Sequence, residues 1–182
     1  MYSKLGYSRG VIANLSDAPN LPNPQTGETV FCTENYRVLT YDGALWMCDD
    51  FVRLVNGSGS TRSSGDLVIG STASYGQVVI TTTSQSPRVI GPVVYSSTNG
   101  SPIAVAIKGK YKCRVDFYPT VSPITTIGGK AYTYSAGNIG ASVDSVATQL
   151  VGGFFGWVLE PLPSPLVQTT RKMLLRGKVE FW

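Results

Sequence analysis

The chain has 182 residues, enough for one domain with a substantial core, and only 14% of them are charged, well below the quarter usual in globular proteins. It contains no histidine, which removes the commonest general base and metal ligand and excludes hydrolytic triads in their ordinary form. The net charge of +4 is unevenly spread: residues 1–56 hold four bases and six acids, and residues 57–182 hold eleven bases and five acids. That balance is too mild to demand nucleic acid as a partner.

Residues 1–27 place Pro19, Pro22 and Pro24 within six residues, behind scattered apolar and aromatic positions. Three prolines that close exclude a helix and remove ladder donors, so the segment reads as an extended arm. Its aromatic residues want something to lie against, which makes Tyr2, Leu5, Tyr7 and Arg9 candidates for contact with a neighbour. Residues 28–55 follow with three strand-like runs, "ETVFCTE", "YRVLTYD" and "ALWMCDDFVRLV", the last two separated by the turn residues Asp42 and Gly43; they read as a β-meander. Residues 56–65, "NGSGSTRSSG", have no apolar member and read as a flexible Gly/Ser linker or a long loop.

From residue 66 to residue 182 short strands alternate with turn residues: "DLVIG", "QVVITTT", "RVIGPVVYS", "PIAVAIKGKYKCRVDFY", "GGKAYTYSAG", "VGGFFGWVLE" and "RKMLLRGKVEFW". The stretch "SVDSVATQLVGG" reads as loop or short helix. The class is all-β, with a small barrel or sandwich in the second part. One run is unusually regular. In residues 103–117, alternation puts Ile103, Val105, Ile107, Gly109, Tyr111, Cys113, Val115 and Phe117 on one face, and Lys108, Lys110, Lys112 and Arg114 in a row on the other. Fifteen extended residues would span roughly 50 Å, too long for a domain of this size, so a corner is expected at Gly109. The cationic row suits a solvated face, an acidic protein surface or, less well, nucleic acid, because no aromatic stacking platforms share its face.

Catalytic and metal motifs are weak. "IGGKAYT" lacks the spacing of a phosphate loop, and Asp49 and Asp50 are strand neighbours that point to opposite faces, unlike a proton-sharing dyad. Cys32, Cys48 and Cys113 are an odd number, too dispersed for a zinc site, and without a leader-like start they predict free thiols in a reducing compartment, Cys113 as a buried one. The sequons at Asn14, Asn56 and Asn99 are then incidental, no apolar run is long enough to span a bilayer, and no cofactor is expected.

From Gly65 onward the ordered patterns "SGDLVIG", "GQVVI", "RVIGPVV", "GSPIAVAIKGKYKCRV", "GGKAYTYSAGNI" and "FFGWVLEP" resemble the small β-barrel decoration, or cement, proteins of tailed-bacteriophage heads. The resemblance covers about two-thirds of the chain, and the meander is similar to modules found on phage heads and fibres alike. It implies a non-catalytic virion structural protein on the capsid surface, with the major capsid protein as partner, and self-association, commonly as a trimer. On that reading Lys108, Lys110, Lys112 and Arg114 would face an acidic shell or a neighbouring copy. The aromatic residues Phe154, Phe155 and Trp157, more than one barrel wall needs, would line the oligomer interface. The alternative is a tail-fibre or baseplate module that binds a host surface.

Overall fold

The computed structural model describes residues 7–80, 88–115, 130–133, 139–141, 154–159 and 169–175, with side chains described for 7–80, 88–114 and Leu159. The protein is of the all-β class. The first sheet has the order β1(Ser8–Ile12), β2(Thr29–Cys32), β3(Arg37–Tyr41), β4(Trp46–Met47), with β1 parallel to β2 and the other pairs antiparallel. Alternation sends Val30, Cys32, Leu39 and Trp46 inward, where each is at most 2% exposed, as the apolar/polar period of those runs requires.

The N-terminal segment is part of this sheet, contrary to the reading of an arm outside the core. Ile12 at the end of β1 is buried, and the chain then turns through a 3₁₀ helix, Leu15–Asn20, that plants Leu15 and Ala18 in the same core. Pro19 sits inside that helix, so the prolines do not keep the segment extended. The tight i to i+3 pattern tolerates it because the Ser16 carbonyl, left free by the missing Pro19 N–H, accepts from the Asn20 side-chain amide. Asp17 closes the start of the turn by accepting from the Asn14 backbone N–H at 3.0 Å.

The third run of the expected meander leaves the first sheet. As β5(Phe51–Asn56) it enters a five-stranded mixed sheet with β6(Leu67–Gly70), β7(Gln77–Val79), β8(Val89–Pro92) and β9(Pro102–Ala106), in the order β8-β6-β7-β5-β9. Its register with β9 is continuous from Phe51–Ala106 to Val55–Pro102. The Gly/Ser segment that follows β5 is bound into the fold. Asn56, fully buried, donates to the carbonyls of Ser60 and Ser97 and accepts from Ser58, while Asn99 accepts from Gly59 N–H. A buried amide using both donors and its acceptor holds a loop without apolar side chains.

The five-stranded sheet curls. Just past β8, Val93 bridges Val105 and the Val94 N–H donates to Ala104 C=O at 2.8 Å, so the edge strands β8 and β9 approach without forming a continuous ladder. No sheet is closed. β9 divides two cores: Ile103 and Val105 pack with Val68, Val78 and Val93 inside the curl, whereas Ala104 and Ala106 face the larger core shared with the first sheet. The small alanines on that side let the backbones pack closely. At Gly91 a Cβ would lie 1.8 Å from the Ala106 carbonyl oxygen, so only glycine fits there.

The corner expected at Gly109 is present, with φ +92°. Beyond it, β10(Gly109–Val115) belongs to a third, antiparallel sheet, which also holds β11(Lys130–Thr133), β12(Ile139–Ala141), β13(Phe154–Val158) and β14(Thr169–Leu175) in the order β10-β14-β13-β11-β12. Turning the corner also changes which core the alternation faces. Ile103 and Val105 point into the curl, while Tyr111 and Cys113 point into the shared core, so the single apolar face read across 103–117 is two faces. The stretch "SVDSVATQLVGG" lies outside the described residues.

Candidate functional site

The row of four cations is answered from within the chain. Lys108 Nζ lies 3.8 Å from Asp50 Oδ1, Lys112 Nζ is 3.0 Å from Glu34 Oε1, and an Arg114 terminal nitrogen is 3.2 Å from Asp66 Oδ1. The acids come from the β2–β3 turn, from the residue before β5 and from the residue before β6, so separate parts of the fold converge on one edge of β10. Only Lys110, among the described residues, has no acid within ion-pair distance. The three acid side chains are largely buried and the basic ones one-third to one-half exposed, so the bases serve as lids over buried carboxylates.

Asp50 is the centre of this network. It accepts from Arg37 Nε at 2.7 Å and from the Tyr111 hydroxyl at 3.0 Å, and Tyr111 in turn accepts from the Asn35 side-chain amide at 3.3 Å. Glu34 joins the N-terminal turn to β10: one carboxylate oxygen accepts from Leu15 N–H at 2.8 Å and the other pairs with Lys112. Asp66 accepts from Ser63 N–H as well as from Arg114. Replacing Lys108, Lys112 and Arg114 together by Gln is expected to cost roughly 2–4 kcal/mol in urea unfolding, because each leaves a buried acid short of a partner, whereas Lys110→Gln should change stability by less than about 0.5 kcal/mol. A triple variant as stable as the wild type would return the row to a solvated face.

Burial holds several acidic protons on. It pushes the Tyr111 and Tyr95 phenols and the Cys113 thiol far above their ordinary values, with the nearby Cys48 adding to the shift at both tyrosines. In the unfolded chain these groups ionise near 10.0 for the phenols and 9.0 for the thiol, while the folded protein keeps their protons. Their stabilising contribution is therefore complete below those values and declines as pH rises above them. The melting temperature should hold level from about pH 7 to about pH 8.5 and fall steadily beyond about pH 9; a level melting temperature through pH 11 would contradict this.

Other expected contact residues are distributed differently. Arg9 is bound within the chain, pairing with Glu28 and donating to the carbonyls of Pro22 and Asn23, so it organises the proline loop. Tyr7 is 72% exposed, and Tyr2 and Leu5 lie outside the described residues. Phe154, Phe155 and Trp157 fall in β13, an interior strand of the third sheet, and their side chains lie outside the described ones. Among the described residues no three His, Cys, Asp or Glu side chains converge as a metal site would require, and no helix is long and apolar enough to cross a membrane. Cys32, Cys48 and Cys113 are free thiols.

Two features were not singled out from the sequence. The outward face of the first sheet carries Val11, Phe31 and Val38 side by side in register across β1, β2 and β3, followed by Thr29, Thr40 and Met47 in the next row. No charged residue stands in either row. Val11 is 66% and Val38 55% exposed. The alternation in "TVFC" and "RVLT" contains this face, but only the pairing register aligns it. The second feature is a pocket of about 230 Å³ lined by Pro19, Pro24, Tyr41, Leu45, Trp46 and Tyr95, between the proline loop and β4. The Tyr41 and Trp46 rings are 5.4 Å apart, and the Tyr95 hydroxyl donates to the Trp46 carbonyl.

No protein-family model matches the chain, and no curated protein matches it.

Proposed function

We propose that the protein is a virion structural protein that decorates a phage capsid and stabilises it by bridging capsid subunits. The observation that carries this reading is the pair of uncharged rows on the outward face of the first sheet, bordered at Val38, Thr40 and Met47 by Arg37, Asp49 and Lys108. An exposed apolar row that continues across three strands is an association surface, because water leaving it contributes free energy without the desolvation cost of charges. The ordered strand patterns from Gly65 onward support the same reading, as does the curled five-stranded sheet whose edges meet at Val93 and Val105, the beginning of a small barrel. The major capsid protein is the proposed partner, with self-association, as a trimer, on the particle surface.

The mechanism is linkage. A protein that binds only where neighbouring capsid subunits are correctly placed adds its binding free energy to the assembled shell and none to free subunits. In this reading the contact lies on the first sheet's outer face, because Lys108, Lys112 and Arg114 of the cationic row are paired within the chain with Asp50, Glu34 and Asp66. A tail-fibre or baseplate module is the second reading, favoured by the aromatic pocket beside Trp46. Gold labelling of purified particles separates them: label over the heads is expected, and label confined to tails would overturn the capsid reading.

A further inference from the structure

β10 is an edge strand of the third sheet, and its outer edge borders a small pocket. Lys110, Tyr111 and Lys112 all line that pocket, although strand alternation sends their side chains to opposite faces, so what the strand presents there is its edge. The pairing agrees. Arg114 N–H turns away from β14 and donates to Gly65 C=O at 2.8 Å, and every second residue of an antiparallel strand directs its N–H and C=O to the same side. The main-chain groups of Lys110 and Lys112 therefore face the pocket side, where Ser64, the neighbour of Gly65, is another wall. Leu15, Pro92, Val93 and Val94 supply its apolar lining.

Two polar groups of the walls are left over. The first is Asn35 Oδ1, which is buried and has no hydrogen-bond partner among the described residues. The direction of the neighbouring hydrogen bonds strands it. Asp50, paired with Arg37, accepts from the Tyr111 hydroxyl, so the Tyr111 oxygen is left to accept, and it takes the Asn35 amide N–H at 3.3 Å. With its nitrogen held there, the amide presents an oxygen that calls for a donor. The second group is Lys110. Among the charged walls Lys112 and Glu34 pair with each other at 3.0 Å, which leaves the exposed Lys110 ammonium as one positive charge in excess.

We propose that this pocket captures the C-terminal residue of a partner's extended chain. One terminal residue carries both groups the walls lack, a carboxylate for Lys110 and an amide N–H for Asn35 Oδ1, and the chain leading to it can add to the edge of β10 through Lys110 and Lys112. An inorganic anion or a free carboxylate brings no amide N–H. The enclosed volume of about 50 Å³ is the space of roughly two waters, enough for a methyl side chain while the carboxylate stays at the mouth with Lys110. An aspartate within a chain places one more carbon between its N–H and its carboxylate and adds a further peptide unit, more than this volume takes. The partner is defined by its carboxyl end, independently of whether it belongs to a capsid shell.

The test is calorimetric titration of acetyl-Thr-Val-Ala, with a free carboxyl end, into the full-length protein. Saturable one-to-one binding is expected. The C-terminal amide of the same peptide, its form N-methylated at the last amide, and acetyl-Thr-Asp-Ala amide should each bind at least about tenfold more weakly, through the lost carboxylate, the lost N–H and the displaced carboxylate. Lys110→Gln, which leaves the fold intact, should weaken the free acid roughly three- to fivefold and leave the amide unchanged, the range of an exposed ion pair. The backbone amide signals of Lys110 and Lys112 should shift on binding in NMR spectra. Absence of binding at millimolar concentration, equal binding of acid and amide, an internal aspartate that binds as well, saturation by acetate alone, indifference to Lys110→Gln, or shifts confined to other strands would each overturn the proposal.

Discussion

Gly91→Ala is expected to destabilise the protein by at least about 3 kcal/mol, at the upper end of the overpacking penalty, and to leave little folded protein at 37 °C. The added methyl would stand 1.8 Å from the Ala106 carbonyl oxygen and 3.0 Å from its carbonyl carbon, with Val105 Cγ1 on the same side. The obstacle is backbone. Relief requires β8 and β9 to separate where the sheet's two edges come together, which would also break the contacts of Val93 with Val105 and of Val94 with Ala104. Gly57→Ala is the informative contrast, since its nearest obstacle, the Gln77 side chain at 2.5 Å, is flexible and can move aside. Thermal unfolding of the two variants should therefore differ widely, and a Gly91→Ala protein with a near wild-type melting temperature would mean that the curl is not closely packed.

Deleting residues 1–20 is expected to abolish cooperative folding. The deletion removes β1 and the 3₁₀ helix with Ile12, Leu15 and Ala18, and it uncovers Val30, Cys32, Leu39 and Trp46 on the inner face of the first sheet. Burying Ile12 and Leu15 alone is worth about 4–6 kcal/mol, comparable with the whole stability of a small domain. It also strips Glu34 of its hydrogen bond to Leu15 N–H, leaving that acid held by Lys112. Leu15→Ala is the milder form and should cost about 2–5 kcal/mol. A truncated protein that melts cooperatively at the wild-type temperature would restore the N-terminus to the status of a detachable arm.

These two cases show how much of the fold could be read in advance. Strand content, the Gly109 corner and the buried Cys113 were legible because each follows from local alternation or from a residue with special backbone freedom. The arm was misread because the proline spacing "PNLPNP" argues locally for extension, while burial of Leu15 and Ala18 against strands that follow in the sequence is a tertiary effect that local propensity does not carry. Of the two readings of residues 56–65, the long loop is what the structure has, and the flexible linker is set aside for the same reason. "NGSGSTRSSG" has the composition of a flexible spacer, and only Asn56, fully buried and bonded to Ser97 forty-one residues away, ties it down.

The candidate site was half legible. Alternation in "KGKYKCR" correctly put Lys110 and Lys112 on a face opposite Tyr111 and Cys113. The counter-ions could not be read, because Glu34, Asp50 and Asp66 lie between forty-eight and seventy-eight residues upstream of the bases they meet, and sequence separation hides such pairs. The same limit applies to the row of Val11, Phe31 and Val38: each looks like an ordinary strand residue, and the uncharged face exists only after β1 pairs in parallel with β2.

The functional reading is tested most directly by cosedimentation of the purified protein with capsid shells lacking it, comparing wild type with Val38→Glu. Val38 is 55% exposed at the β3 end of the outward row, beside Phe31, so the substitution leaves the core untouched and places a charge in the proposed contact. The proposal predicts saturable wild-type binding to assembled shells, no binding to free subunits, and at least a tenfold loss for Val38→Glu with unchanged thermal stability; a wild-type protein that fails to sediment with shells, or a Val38→Glu protein that binds them as tightly, would contradict it.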